Sequence, residues 1–185
     1  CHPKNLLQFA LMGSLYAQKV LGIEQPRVGL LNNGEEEGKG CELVREAYPL
    51  LRDAGDLNFV GNIEGRDILA GKADVVVCDG FVGNVVLKFA EGMGAVIFDL
   101  LREAISRGTR SKLGGLMLRP ALKELWRKMD YTEYGGAPLL GVRGVCIISH
   151  GSSNEKAVKN AIRVACESVA GDVVSAIADR IIQNG

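Results

Sequence analysis

The sequence is poor in the side chains that usually bind metals. It contains two histidines, His2 and His150, which excludes a histidine-rich zinc site. Its carboxylates are scattered and form no ligand cluster that demands a divalent metal, so we expect no metal and no cofactor. Its five cysteines are odd in number and lack a CxxC pair. This favours reduced thiols, with Cys78 and Cys146 buried in apolar strands, and a nucleophilic Cys78 only as a minor alternative.

Net charge and long apolar runs are also lacking. The 22 basic residues balance the 22 acidic ones, so no overall positive field would recruit nucleic acid. No uninterrupted apolar run approaches the roughly 20 residues that cross a bilayer, and no signal peptide is recognisable. The chain starts at Cys1 and enters a helical pattern almost at once, which predicts the later part of a longer cytoplasmic protein. Its length and its 47% apolar content predict one globular domain over residues 1–185.

Glycine, in contrast, is abundant, and the clearest glycine turn lies in the segment ADVVVCDGFVGNVVLK. Val75–Val77 predicts a strand buried on both faces. Gly80 and Gly83 predict a turn, and Asn84 predicts the N-cap of a helix over Val85–Arg107. Ligands bind at such junctions in open α/β sheets, because free N–H groups at the start of the helix point towards them.

Two further segments repeat the order of strand, polar loop and helix. Arg27–Leu31 predicts a strand, followed by the loop NNGEEEGKG and a helix over Cys41–Ala54. Val142–Ser149 predicts another buried strand, followed by the loop HGSSN and a helix over Glu155–Val169. Three such units predict an α/β fold with a mostly parallel sheet between two helical layers, and three polar loops at one sheet edge. The remaining predicted elements are helices over Asn5–Leu21 and Asp172–Ile182, a short strand over Asn58–Val60, and a turn or short helix over Ile63–Leu69.

The polar loops predict a site for a small anion such as phosphate. In NNGEEEGKG, glycine N–H groups and a helix start form an anion nest, and Lys39 adds a positive charge. The acids of residues 35–37 would repel an anion unless they turn away or pair with Lys39. The spacing is not that of a Walker A loop, and His150 followed by serines is not a catalytic triad. An exposed turn stays the alternative for the first loop, as does simple capping for Asp79 and Asn84.

Residues 107–129 break the charge balance with seven basic residues and one acid, Glu124. Pro120 predicts the first position of a helix whose leucine, tryptophan and methionine side chains share one face. Two interpretations stay open: an element that binds a membrane surface or an acidic partner, or a core-facing helix with a solvated basic back. The candidate contact residues are Leu113, Leu116, Leu118, Leu122, Lys123, Trp126 and Arg127.

The segments VGLLNNGEEEGKG, NFVGNIEGRDILAGKADVVVCDGFVGNVVLK, YGGAPLLGV and HGSSN together resemble the bacterial phosphate acyltransferases of phospholipid synthesis. The resemblance covers essentially the whole chain, as the C-terminal portion of the family sequence. It implies transfer of a fatty acyl group from acyl carrier protein to orthophosphate, giving acyl phosphate. It also implies a homodimer at the inner membrane face, supplying a downstream membrane acyltransferase, with a fold similar to phosphotransacetylases and isocitrate or isopropylmalate dehydrogenases.

This chemistry requires little acid or base catalysis, since phosphate is anionic at neutral pH and a thiolate is a good leaving group. Together with the loops, the resemblance suggests Lys39, Asn84 and His150 as catalytic residues. The suggested substrate-binding residues are Asn32, Gly34, Gly38, Gly40, Asp79, Gly80, Gly83, Ser152 and Ser153. Competing interpretations are a coenzyme A-dependent phosphotransacetylase and a non-catalytic membrane-docking fragment. A dehydrogenase of the isocitrate type is disfavoured because its metal-binding aspartate cluster is not evident.

Overall fold

The computed structural model describes residues 1–129, 135–151 and 153–183. In chain order its elements are α1 (Pro3–Lys19), β1 (Arg27–Leu31), α2 (Glu42–Asp53), β2 (Asn58–Ile63), α3 (Gly65–Leu69), β3 (Val75–Val77), α4 (Gly80–Ser106), α5 (Thr109–Met129), β4 (Ala137–Pro138), β5 (Ile147–Ile148), α6 (Glu155–Ala170) and α7 (Val173–Gln183). The helices predicted around α1, α2, α6 and α7 are confirmed to within a few residues.

A small parallel sheet carries the core, with β1 between β2 and β3. The apolar side chains of β1 are buried against α1 and α2. In β3 only Val77 is buried, whereas Val75 and Val76 are half-buried, so the expected burial on both faces is wrong for most of this strand. The reason is that β3 pairs with β1 alone within the described residues. This arrangement is α/β and compatible with an open three-layer fold.

The prediction of a third buried, parallel strand over Val142–Ser149 is wrong. Of Val142–Ser149 only β5 is a strand, and it pairs antiparallel with β4 in a separate two-stranded sheet. The chain turns back between them, where the Leu139 N–H donates to the Cys146 carbonyl at 2.8 Å and Gly141 takes a φ of +85°. An apolar run that turns back on itself carries the same sequence pattern as a buried strand. Cys146 is therefore exposed instead of buried, although all five thiols are free as expected.

Helix α4 begins four residues earlier than its predicted cap, so Asn84 is not the N-cap. Asp79 is the cap: its Oδ1 accepts hydrogen bonds from the N–H groups of Phe81 and Val82 at 2.9 and 3.0 Å. Gly80 and Gly83 lie inside the helix instead of in a turn. Asp and Asn are both favoured N-caps, so the residue types alone do not determine whether the helix begins after Asp79 or after Asn84. In the structure it begins after Asp79.

None of the residues of α4 is buried. By length and composition this 27-residue helix is apolar enough to cross a membrane, although it contains no uninterrupted apolar run of about 20 residues. A search for uninterrupted apolar runs misses it, because Lys88 and Glu91 interrupt the sequence while the average stays apolar. Length and composition alone do not separate a spanning helix from one that packs against protein.

Helix α5 begins at Thr109, so Pro120 lies inside it and not at its first position. It forms a helical hairpin with α4, and Gly115 lies so close to Ile105 that a Cβ would collide with it. Leu113, Leu116 and Leu118 are exposed and Leu122 is half-buried. The three exposed leucines therefore do not face the core of this chain. The side chains of Trp126 and Arg127 lie outside the described part of α5.

Candidate functional site

The first polar loop, residues 32–40, is closed by Asn32. The Asn32 Nδ2 donates to the Lys39 carbonyl at 3.1 Å, and its Oδ1 accepts from the Asn33 N–H at 2.8 Å. Gly40 has a φ of +92° and lies against the Asn32 carboxamide, so a Cβ there would collide with it. The loop is thus tied at both ends, and its backbone approaches the end of β1 closely.

Two of the three acids of this loop, Glu35 and Glu37, pair with cations outside the loop. Glu35 pairs with Lys72 at 2.6 Å, and Glu37 pairs with Arg52 at 2.6 Å. The hydrogen bond to Glu35 raises the pKa of Lys72, as expected for a cation that gains an anionic partner. Lys39 itself is exposed and pairs with neither Glu35 nor Glu37. Glu35 and Glu37 therefore turn away from Lys39, whereas the Glu36 carboxylate and the Lys39 side chain both lie against Gly34.

The start of α2 adds hydrogen-bond donors to the same loop. Its N-cap, Cys41, makes no side-chain bond to the first turn. In α4 and α6, by contrast, Asp79 and Asn154 bond to first-turn amides. The open helix start therefore lies at the first loop, and not at the central junction emphasised by the sequence. An anion at α4 would have to displace the Asp79 carboxylate.

Cys78 lies beside this capped junction and is half-buried. Burial raises the pKa of its thiol, and the charge of Asp79 raises it further. Less thiolate is therefore present at neutral pH than in a free cysteine, which disfavours Cys78 as a nucleophile.

The third loop is organised by its own backbone. The carbonyl of His150 accepts hydrogen bonds from the Ser153 Oγ at 2.6 Å and from the Ser153 N–H at 3.0 Å. Asn154 then caps α6, because its Oδ1 accepts from the Ala157 N–H at 3.0 Å. Ser152 lies outside the described residues. The described bonds of Ser153 and Asn154 thus serve local structure.

The predicted site residues fall into two groups. Asn32, Lys39 and Asp79 follow β1 and β3, whose carboxyl ends meet at one edge of the parallel sheet. Gly34, Gly38 and Gly40 belong to the same loop, Gly80 and Gly83 lie in the first turns of α4, and Asn84 is exposed on that helix. The loop with His150 and Ser153 follows β5, which belongs to the other sheet. The prediction that three loops share one sheet edge is therefore wrong.

Three contributors to the loop were missed in the sequence. Lys72 and Arg52 pair with Glu35 and Glu37, and Asn62, only 4% exposed, donates from Nδ2 to the Glu36 carbonyl at 2.9 Å. The cations carried no recognisable signal, because they lie far along the chain. Asn62 did carry one, since an asparagine next to glycine near the end of an apolar strand is unusual.

A cavity of about 280 Å³ lies elsewhere, between residues 138–146 and helix α7. Its walls are largely apolar and include Val173, Ile177 and Ile181. None of the predicted site residues lines it. Within the described residues, no group of three His, Cys, Asp or Glu side chains is placed to hold a metal ion.

Residues 1–176 match the profile of a protein family described as "Fatty acid synthesis protein". This chain belongs to that family. It is 58% identical over 179 residues to a protein named phosphate acyltransferase from Heliobacterium modesticaldum, covering 97% of this chain and 53% of that protein. It is 62% identical over 169 residues to the phosphate acyltransferase of Pelotomaculum thermopropionicum, covering 91% and 49% respectively. These findings confirm the resemblance drawn from the sequence motifs.

A third relative gives the same comparison. The phosphate acyltransferase of Aquifex aeolicus is 58% identical over 167 residues, covering 90% of this chain and 49% of that protein. The chain spans about half the length of the curated relatives that it matches.

Proposed function

We propose that this chain carries the phosphate-binding part of an acyltransferase that moves a long-chain fatty acyl group from acyl carrier protein to orthophosphate. Family membership and the names of the relatives support acyl transfer involving phosphate. The observation that carries the proposal is the loop of residues 32–40. It presents Lys39 beside an uncapped helix start, while Lys72 and Arg52 pair with two of its three acids, Glu35 and Glu37.

The reaction is a displacement at a thioester. A phosphate oxygen attacks the carbonyl carbon, the C–S bond breaks, and the thiolate leaves and takes a proton from solvent. Lys39 and the amides of Gly38 and Gly40 hold the phosphate. Asn84 donates to the oxyanion, and His150 orients the leaving group. The other substrate-binding assignments are Asn32, Gly34, Asp79, Gly80, Gly83, Ser152 and Ser153.

The basic helical hairpin supports the choice of partner. Acyl carrier protein is acidic and its acyl chain is apolar, and α5 combines lysine and arginine with exposed leucines. The same surface suits the inner face of a membrane, where a downstream acyltransferase would take the product. The unburied apolar side chains of α4 supply a surface on which a second copy could form a homodimer.

Hydroxylamine trapping of acyl phosphate, with palmitoyl-acyl carrier protein and phosphate as substrates, tests this function. Lys39→Ala should lower turnover about 100-fold, which is typical for loss of one donor to a developing charge. Lys19→Ala, an exposed lysine at the end of α1, is the matched control and should leave turnover within twofold. Turnover within twofold for Lys39→Ala or Asn84→Ala would remove that residue from the mechanism.

The same assay separates the alternatives. Turnover of acetyl-coenzyme A with no reaction of the palmitoyl substrate would make the protein a short-chain phosphotransacetylase. Activity only when the chain is joined to the other half of its relatives' length would show that the chain holds part of the site. No activity in either form, with vesicle binding retained, would favour a docking fragment.

A further inference from the structure

Asn62 is a buried polar side chain in the core of the sheet. It is 4% exposed; its Nδ2 donates to the Glu36 carbonyl at 2.9 Å, and its Oδ1 has no hydrogen-bond partner among the described residues. A buried carboxamide costs free energy unless its groups are bonded, and an apolar side chain of similar size would avoid that cost. Unlike an apolar side chain, Asn62 forms a hydrogen bond to the loop of residues 32–40.

A bulge in β2 turns Asn62 inwards. While β1 advances two residues from Val28 to Leu30, β2 advances three residues from Phe59 to Asn62. The extra residue is accommodated at Gly61, whose φ of +89° is open to few other residues. Regular alternation would place position 62 on the exposed side with position 60. Bulges commonly re-aim a side chain beside a functional site.

The Glu36 carbonyl links Asn62 to Lys39. It accepts a second hydrogen bond from the Lys39 N–H at 3.1 Å, while the Lys39 carbonyl accepts from the Asn32 Nδ2 at 3.1 Å. The peptide groups on both sides of Lys39 are therefore fixed, one by a turn that Asn62 anchors and the other by Asn32. The Lys39 side chain itself is exposed, and its base lies against Gly34.

We propose that Asn62 is a positioning residue of the phosphate site, which fixes through the Glu36 carbonyl the turn that presents Lys39. The proposal rests on the proposed function, in which Lys39 binds phosphate. Asn62 touches no reacting atom. Asn62 orders the turn before the anion binds, so the free energy of binding is not reduced by the entropic cost of ordering it.

Equilibrium dialysis of the chain against radiolabelled inorganic phosphate provides the first test. Asn62→Leu should weaken phosphate binding about tenfold, the equivalent of one buried hydrogen bond. Asn58→Leu is the matched control on the same strand, since the Asn58 Nδ2 donates to the Gln25 carbonyl at 3.1 Å instead of to the loop. The control should bind within twofold of wild type. If Asn62→Leu does not fold, Asn62→Ala removes the donor without adding bulk or a buried charge.

A double-mutant cycle tells positioning from a general loss of structure. If Asn62 acts through Lys39, Asn62→Leu should change phosphate binding less than twofold in a Lys39→Ala background. Independent effects that multiply would overturn the proposal, as would wild-type binding by Asn62→Leu in a protein whose binding depends on Lys39. If Lys39→Ala itself binds like wild type, the phosphate site and this inference fail together. The cycle therefore separates failure of the positioning role from failure of the proposed function.

Discussion

Arg27 and Asp74 join the first residue of β1 to the residue before β3 by a two-pronged ion pair. The Nε and Nη2 atoms of Arg27 donate to Oδ2 and Oδ1 of Asp74 at 2.9 Å each, and the Arg27 N–H adds a third bond to Oδ2 at 2.8 Å. The guanidinium lowers the pKa of Asp74 to about 2. The pair lies at the end of the sheet opposite the candidate site, so it fixes the two strands without touching the loops.

Because of this pair, the free energy of unfolding should depend on pH in the acidic range. The folded pKa of Asp74 lies below its ordinary value of 3.8, so its stabilisation is present above about pH 4 and is lost as the pH falls towards 2. Asp74→Asn should therefore unfold at a lower temperature than wild type at pH 7, and the two midpoints should converge near pH 2. Thermal unfolding followed by circular dichroism measures this. Asp53→Asn, which alters an exposed pair with Arg52, is the control, and a deficit that persists at pH 2 would exclude the charge as its cause.

Gly40 should tolerate no side chain. Gly40→Ala forces alanine to a φ of +92° and into the Asn32 carboxamide, which should destabilise the chain by about 1–3 kcal/mol and loosen the loop. Gly38→Ala is the matched control, because a Cβ there meets nothing within 4 Å. Urea unfolding gives the difference in free energy. Equal effects of the two substitutions would contradict the described closure of the loop.

The start of α4 can be tested by removing each of the two possible caps. Asp79→Ala removes the side chain that bonds to two first-turn amides and should cost about 1 kcal/mol of unfolding free energy. Asn84→Ala, inside the helix and exposed, should change stability by less than about 0.5 kcal/mol. A larger loss for Asn84→Ala than for Asp79→Ala would restore the boundary predicted from the sequence.

The thiols should react at two different rates. Cys78 is half-buried and its pKa is raised, whereas Cys1, Cys41, Cys146 and Cys166 are exposed. At pH 7.5 an alkylating reagent should modify the exposed thiols first and Cys78 more slowly. Mass spectrometry of quenched time points identifies each site. Modification of Cys78 ahead of the others would indicate an activated thiolate and reopen its role as a nucleophile.

The membrane part of the proposal depends on the leucines of α5. Leu118→Glu combined with Leu122→Glu should abolish binding to vesicles that contain anionic lipids, because both apolar contact and charge attraction are reduced. Leu21→Glu combined with Leu69→Glu adds the same charge at exposed positions away from α5 and should leave binding unchanged. Vesicle sedimentation measures both. Unchanged binding of the α5 variant would assign these leucines to a protein contact instead.

The helices and the parallel strands could be predicted from the sequence because each has a local pattern. Leu6, Ala10 and Leu11 recur at helical spacing in α1, and the apolar residues of Arg27–Leu31 form an uninterrupted run. The hairpin that ends at β5 could not be predicted, because its apolar residues carry the pattern of a strand while the hydrogen bond from Leu139 to Cys146 turns the chain back.

The site was predictable only where its parts are close in sequence. Asn32, Lys39 and Gly40 share one loop, and its glycines were sufficient to predict that loop from the sequence. The ion pairs of Glu35 with Lys72 and Glu37 with Arg52 join residues that are distant in sequence, so only the fold could reveal that these two acids turn outwards. The inward turn of Asn62 depends on a bulge, which shifts the alternation on which strand prediction relies.

The position of β1 between β2 and β3 also bears on how the chain folds. Both partners of β1 follow it in sequence, and each is reached only after a helix has been traversed. The sheet therefore forms through contacts between residues that are distant in sequence. The entropic cost of closing the intervening loops arises before the backbone hydrogen bonds of the sheet can offset it. We expect α1 and α2 to gain structure first, and the edge that carries Lys39 to become ordered only when β2 has docked on β1.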